Sequence, residues 1–365
     1  MKPPALLFGV PIDDVTMADT LRVVGELVAS GRAQGRTHQI ATVNVDFLVN
    51  ALADPQVRRV LQFADLCLAD GMPVIWAARK FGVELPERVT GADLIPALAA
   101  QSPTTGWKIH LFGSADGVAE RARDLLLERH PGAHITADSG PRIKDPTAVD
   151  QAVVASIAEV NPDILCVAFG NPKQERWIEA NRHALRTPVM IGIGGTLDLL
   201  VGDKKRAPAW MQKSGTEWIF RAMQEPGRLG KRYAHDARVF LPKIWSYLRG
   251  LAPYRSGATL MLAADAHQVR VLVETAAAGA GAARGPEQVD EALRSGRPVS
   301  LQLGDVEVLR PEAMAVLVEV VRAAHRMGNP LNAEPYSRAL DTQIRAMGLT
   351  NLLLGDAPDV GRSAG

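Results

Sequence analysis

The sequence predicts an α/β protein: a mostly parallel sheet covered by helices on both faces, then a basic helical stretch, then a second and smaller α/β unit. Three observations carry that expectation. Short apolar runs alternate with amphipathic stretches up to about residue 205, the composition then turns basic and aromatic, and a linker-like segment precedes a new alternating pattern.

Six runs read as strands: 39–45 (QIATVNV), 66–70 (LCLAD), 108–113 (KIHLFG), 134–138 (HITAD), 164–170 (ILCVAFG) and 189–195 (VMIGIGG). They are apolar without alternation, as strands buried on both faces are. Helical periodicity fills the intervals, as in MADTLRVVGELVAS and ADGVAERARDLLLERH. In such sheets ligands collect at the carboxyl ends of the strands.

Between Ala209 and Arg255 there are nine Lys or Arg against three Asp or Glu, with three of the six Trp and three of the four Tyr. The segment LAPYRSGA (251–258) reads as a linker. Beyond it, TLMLAAD and VSLQLGDVEVL read as strands, and the stretches near 287–295, PEAMAVLVEVVRAAHRMG and SRALDTQIRAMGL as helices. The expected domains are 1–206, a basic aromatic appendage over 207–255, and a second α/β domain over 258–365.

At 365 residues the chain has room for two cores. A net charge of +1, with 47% hydrophobic and 22% charged residues, fits a soluble globular protein and argues against a uniformly basic nucleic-acid binder. Cys67 and Cys166 lie in apolar runs and read as buried thiols of a reducing cytoplasm. The opening MKPPALLFGVPIDD, broken by prolines and closed by Asp13 and Asp14, does not read as a signal peptide. No apolar run is long enough for a membrane span.

The junction ILCVAFGNPKQERWIEANR places a strand directly before a helix, with Asn171 expected as the N-cap and Pro172 at the first helical position. A helix N-terminus at a strand's carboxyl end suits a diphosphate, with Lys173 and Gln174 adding a charge and an amide. A capped surface helix closed by Gln174 explains the same residues equally well. Thr42 and Asn44, two apart on a strand, face one side; Asn44 could equally cap the next helix. Asp70 ends a strand before Gly71, the place of a turn carboxylate or of a general base in the ligand crevice. Arg88 precedes a glycine turn, and Asp198 follows GIGG without the full G-x-G-x-x-G spacing. There is no D-x-D pair, no His/Cys cluster with metal-ligand spacing and no G-x-S-x-G elbow at a strand-to-helix junction, the string GRSAG at 361–365 lying outside every strand-like run, so neither a metal, another cofactor nor a nucleophilic triad is expected.

In order, TVNVDFL, ADGMPV, RVTGADL, LFG, FGNPKQERWI, GIGGTLD and EWIFR…EPGRLGKRY resemble the WecG/TagA/CpsF family of bacterial glycosyltransferases, over residues 8 to 245. The resemblance implies a Rossmann-like fold and an inverting, metal-independent transfer. The donor would be a UDP-sugar carrying N-acetylmannosamine, its uronic acid or a related hexose. The acceptor would be a polyprenyl-diphosphate-linked sugar at the inner face of the cell membrane, in surface polysaccharide synthesis. It implies Asp70 as the base, with Thr42 catalytic beside it, and Asn44, Arg88, Gln174 and Asp198 as pocket residues, joined by Lys173. Arg221, Arg228 and Arg232 would stabilise the departing UDP, and the appendage would close the site and touch the membrane surface.

Residues 258–355 resemble a STAS domain, with Arg310, Pro311, Glu312 and Ala313 where that family usually has Asp-Ser-Ser/Thr-Gly. No hydroxyl is available there, so the module implies a protein partner or self-association more than phosphorylation. Two rivals compete with this reading: a nicotinamide-dependent oxidoreductase using GIGGTLD, and a non-enzymatic nucleotide-sugar sensor signalling through the second domain. The broken glycine fingerprint counts against the first, and the joint presence of Thr42, Asn44, Asp70 and Gln174 against the second.

Overall fold

A computed structural model of the chain describes residues 2–353 except 205, 209, 212–215, 265, 266, 274–285 and 305. The chain divides into two compact units. One is Val15–Leu241; the other joins Met1–Asp14 to Pro242–Gly365.

The N-terminal segment forms an antiparallel hairpin, β1 (Ala5–Leu7) with β2 (Val10–Ile12). Its turn needs Gly9, which has a φ of 81° and whose missing Cβ would lie 2.7 Å from the Gly348 carbonyl oxygen. Asp13, just after the hairpin, receives a bidentate ion pair at 2.7 and 3.0 Å from Arg322, an almost fully buried side chain that Glu319 also contacts. The hairpin is therefore a built part of the second unit.

In the first unit, α1 (Met17–Gln34) starts at a capping box made by Thr16 and Asp19. The chain then alternates: β3 (His38–Val43), α2 (Val45–Ala53), α3 (Pro55–Phe63), β4 (Leu66–Ala69), α4 (Met72–Lys80), α5 (Gly91–Thr105), β5 (Lys108–Gly113), α6 (Val118–Arg129) and β6 (His134–Asp138). It continues through α7 (Gln151–Val160), β7 (Ile164–Ala168), α8 (Lys173–Leu185), β8 (Val189–Gly192) and α9 (Thr196–Leu200) to α10 (Glu217–Gln224). A long helix, α11 (Lys231–Leu251), follows and carries the border between the units at Leu241–Pro242. All six expected strands are present, in the order β4-β3-β8-β7-β5-β6, and every pairing is parallel.

Strand β7 shows why its sequence does not alternate. Ile164, Cys166 and Ala168 pack on one side with Val24, Leu27, Leu94, Leu98, Ala122 and Leu126 of α1, α5 and α6. Leu165 and Val167 pack on the other with Val153, Ile157, Trp177 and Ile178 of α7 and α8. Both faces are dry, so both residue sets are apolar. Trp177 sets the position of α8 by packing on Phe112 and edge-on against Phe169, with ring centroids 5.5 and 5.4 Å away. Cys67 and Cys166 are buried thiols outside any disulfide, and burial pushes the Cys166 thiol up to about 12.

In the second unit a four-stranded mixed sheet has the order β12-β11-β10-β9: β9 (Leu260–Ala264), β10 (Val269–Val273), β11 (Val299–Gln302) and β12 (Leu331–Ala333). Only β9 runs antiparallel to its neighbour. The helices are α12 (Pro286–Arg294), α13 (Pro311–Met327), α14 (Arg338–Ala346) and α15 (Thr350–Leu353). Helix α13 buries Met314, Leu317, Val318, Val320 and Val321, which makes it the central core helix of this unit. Among the described residues no helix is long and apolar enough to cross a membrane.

Candidate active site

The chain leaves β3 toward β4 on one side, while β8 closes against β3 on the other, so a crevice opens outside the carboxyl ends of these strands. Thr42, Asn44, Asp70, Gly170–Gln174 and Gly192–Asp198 all lie along this edge.

Asp70 is the first residue beyond β4, fixed by its backbone N–H donating to the Val43 carbonyl at 2.9 Å. Among the described residues its carboxyl makes no side-chain hydrogen bond. Burial pushes it up to about 6, with Glu217 and Asp93 adding to that rise and Arg221 and Arg88 opposing it. Around it stands an ion cluster. Arg88 donates to Glu217 at 2.7 Å and lies 3.7 Å from Asp93, Arg221 reaches the other Glu217 oxygen at 2.9 Å, and Arg206 pairs with Asp93 at 2.6 Å. Glu217 and Arg221 are four apart on α10 and so share one face of it.

Gln174 is enclosed. Its side-chain carbonyl accepts the Gly170 N–H at 3.1 Å and the Gly194 N–H at 2.8 Å, and its amide nitrogen donates to Glu175 at 2.8 Å. Thr42 donates to the Gly192 carbonyl at 3.0 Å and is buried. Both side chains therefore shape the glycine turn after β8. Asn44 caps α2, accepting the Phe47 N–H at 3.2 Å, a bond worth about 1 kcal/mol. Among the described residues its side-chain nitrogen makes no hydrogen bond. Asn171 does not cap α8: Pro172 precedes the helix, and the Asn171 amide donates to Asp46 at 3.1 Å. The amide nitrogen holds the side chain on Asp46, and Oδ1, the atom a cap would use, accepts no hydrogen bond among the described residues.

A family model for the glycosyl transferase WecG/TagA/CpsF family matches residues 5–253. The chain belongs to that family. It is similar to the N-acetylglucosaminyldiphosphoundecaprenol N-acetyl-beta-D-mannosaminyltransferase of Bacillus spizizenii, with 29% identity over 60% of this chain and 84% of that protein. The protein of the same name from Staphylococcus aureus strain MW2 is 28% identical over 65% of this chain and 91% of its own. That from Bacillus subtilis strain 168 is 32% identical over 52% and 72%. The chain is thus an enzyme, a glycosyltransferase.

In this WecG/TagA/CpsF chain the remaining expected residues are spread around the crevice. Asp198 is reached by Lys204 at 3.5 Å and by the Ser114 hydroxyl at 3.5 Å, and Lys204 continues to Glu225 at 3.8 Å. Lys173 donates to the Ile143 carbonyl and lies 5.9 Å from the Phe169 ring centre. Arg232 lies 3.7 Å from Asp46 and over the Tyr233 ring. The side chain of Arg228 lies outside the described residues.

Sequence reasoning missed Asp46, Asp93, Glu217 and Asp236. Burial first, then Asp46, pushes Asp236 up to about 6, with Arg232 and His235 opposing. The i,i+4 spacing of Glu217 and Arg221 was the available signal for Glu217; Asp46 and Asp93 read as ordinary first-turn carboxylates.

Proposed function

We propose that this glycosyltransferase moves N-acetylmannosamine, or a related hexose or uronic acid, from a UDP-sugar to a polyprenyl-diphosphate-linked sugar, inverting the anomeric centre, with Asp70 as general base. The observation that carries this reading is Asp70 itself. It is a strand-end carboxyl with no side-chain hydrogen bond, raised to about 6 and set beside two guanidinium groups. Ionised near neutrality, it takes the proton of an acceptor hydroxyl as that oxygen attacks the anomeric carbon. The bond from that carbon to UDP breaks, and the electron pair leaves on the diphosphate oxygen. Arg88 and Arg221 are the cations in place to stabilise the departing charge, with Arg228 and Arg232 of the same segment as further candidates. Asn44, through its amide nitrogen, and Asp198 are assigned to the donor, while Thr42 and Gln174 hold the turns that frame it.

The relatives' names supply the acceptor class, a diphosphoundecaprenol-linked N-acetylglucosamine. A lipid-linked acceptor needs a surface to work at. Residues 207–255 are read as that contact, from the cytoplasmic side, because Trp218, Ile219 and Met223 of α10 stay 44, 38 and 74% exposed among basic residues. The second unit is read as a STAS-like module for a protein partner or self-association, a reading supported by its sequence pattern and its small mixed sheet packed with helices. The deciding experiment follows labelled sugar from UDP-N-acetylmannosamine to a prenyl-diphosphate N-acetylglucosamine in the native chain and in Asp70→Asn. Loss of transfer with UDP binding kept supports the reading; equal turnover removes Asp70 from the role.

A further inference from the structure

We infer that Glu175 is a positioning residue whose neutral carboxyl locks the Gln174 amide and, through it, both glycine turns that frame the nucleotide side of the crevice. The inference rests on the proposed function only for what those turns hold. The first support is the amide itself. Two backbone N–H groups, from Gly170 after β7 and Gly194 after β8, converge on one Gln174 oxygen. A side-chain amide can turn over at almost no steric cost, and turned over it would present NH2 to two donors and lose both bonds. Glu175 prevents that by accepting from the Gln174 nitrogen at 2.8 Å.

The second support is enclosure. Glu175 is fully buried, its other carboxyl oxygen has no hydrogen-bond partner, and among the described residues no Lys, Arg or His pairs with it. A carboxylate so placed would be an uncompensated buried charge, so the acid form is the stable one. Burial pushes this carboxyl up to about 8, against the Gln174 hydrogen bond, and the Asp46 charge adds to the rise. Of the charged groups on the elements packed around α8, Asp46 is the one that acts on it; Asp54, at the start of α3, is taken by Arg176. The third support is the fit against β8. A Cβ at Gly192 would lie 2.5 Å from both the Gln174 nitrogen and the Glu175 oxygen, so the pair rests directly on the strand's backbone. Thr42 holds the carbonyl of that same Gly192.

Ionising Glu175 puts a charge where only the Gln174 amide and the residue's own backbone N–H can answer it. The side chain must then seek water, which withdraws the lock and frees both turns.

Three chains test this at full length: native, Glu175→Gln and Glu175→Ala. UDP binding is measured by calorimetry from about pH 6 to about pH 9, and amide exchange at Gly170 and Gly194 is measured in parallel. The native chain is expected to lose about tenfold in UDP affinity through the alkaline range, with faster exchange at both glycines. Glu175→Gln, which keeps a neutral carbonyl, is expected to hold both readings level across that range. Glu175→Ala is expected to be weak, by about tenfold, at every pH. An alkaline loss that persists unchanged in Glu175→Gln, or a Glu175→Ala chain with native exchange at both glycines, overturns the inference. If the native chain binds no UDP at all, the proposed function fails, and the exchange measurements still decide for or against Glu175.

Discussion

Arg88 and Glu217, 129 positions apart in the sequence, meet at 2.7 Å beside Asp70, and the second Glu217 oxygen is taken by Arg221. One carboxylate thus fastens α10 to the loop before α5 and sets the charge that the candidate base feels. Glu217 raises the Asp70 pKa, whereas both arginines lower it. Replacing Glu217 by Gln removes a negative neighbour and makes ionisation of Asp70 easier. The acid limb of kcat/KM is expected to move to lower pH in Glu217→Gln. A limb that does not move would show that Glu217 serves only to dock the helix.

Asp70 must be ionised to act as a base, so native turnover is expected to fall as pH drops through about 6. Asp70→Asn is expected to lose turnover by roughly 10²–10⁴-fold. The same shift has a stability sign. With its folded pKa raised above the unfolded value of 3.8, Asp70 contributes stability at low pH that is lost as pH rises from there through about 6. Above that range Asp70→Asn is therefore expected to melt at a higher temperature than the native chain, as scanning calorimetry would show.

The Arg322–Asp13 pair predicts a cost far from the crevice. Arg322 is almost fully buried between Asp13 and Glu319, so Arg322→Met removes the cation that bridges two enclosed carboxyls, with Arg326 at 3.4 Å still on Glu319. That change is expected to cost about 3 kcal/mol in urea unfolding of the second unit. Adding Asp13→Asn should recover part of the loss, and a fully additive double mutant would mean the two residues are not coupled.

Trp218, Ile219 and Met223 are exposed on α10. Under the membrane reading, Trp218→Ser with Met223→Ser is expected to weaken binding to anionic vesicles about tenfold in a sedimentation assay. Transfer to a short, water-soluble acceptor should be unchanged.

Chelation gives a separate check. The cations beside Asp70 are guanidinium groups, and among the described residues no three His, Cys, Asp or Glu side chains are grouped as metal ligands. Turnover is expected to be insensitive to EDTA in a direct transfer assay.

The six-strand sheet was legible because burial on both faces leaves runs such as Ile164–Ala168 with no alternation to confuse. The hairpin at Ala5–Ile12 was not, since three-residue strands interrupted by Pro11 carry too little pattern. Strand β10 was missed for a similar reason: five residues beside a long Ala/Gly stretch. In the site, residue types were readable but their partners were not. Thr42 and Gln174 look like ligand contacts in a motif, and the fold also sets the Thr42 hydroxyl and the Gln174 carbonyl oxygen on backbone groups brought near by the sheet. Glu217 could be placed on a helix from spacing alone, but its meeting with Arg88 depends on a fold across more than a hundred residues.

The hairpin before residue 15 shares one unit with the chain after residue 241, so Val15–Leu241 is an insertion within the other unit. Trimming the chain from either end strikes the same body first: loss of residues 2–14 takes Asp13 from Arg322, and loss of 258–365 takes Arg322 from Asp13. Cuts at the unit borders, near residues 14 and 241, would split α11 and remove residues 5–14 and 242–253 of the family match, so discarding either flank also cuts into the matched segment.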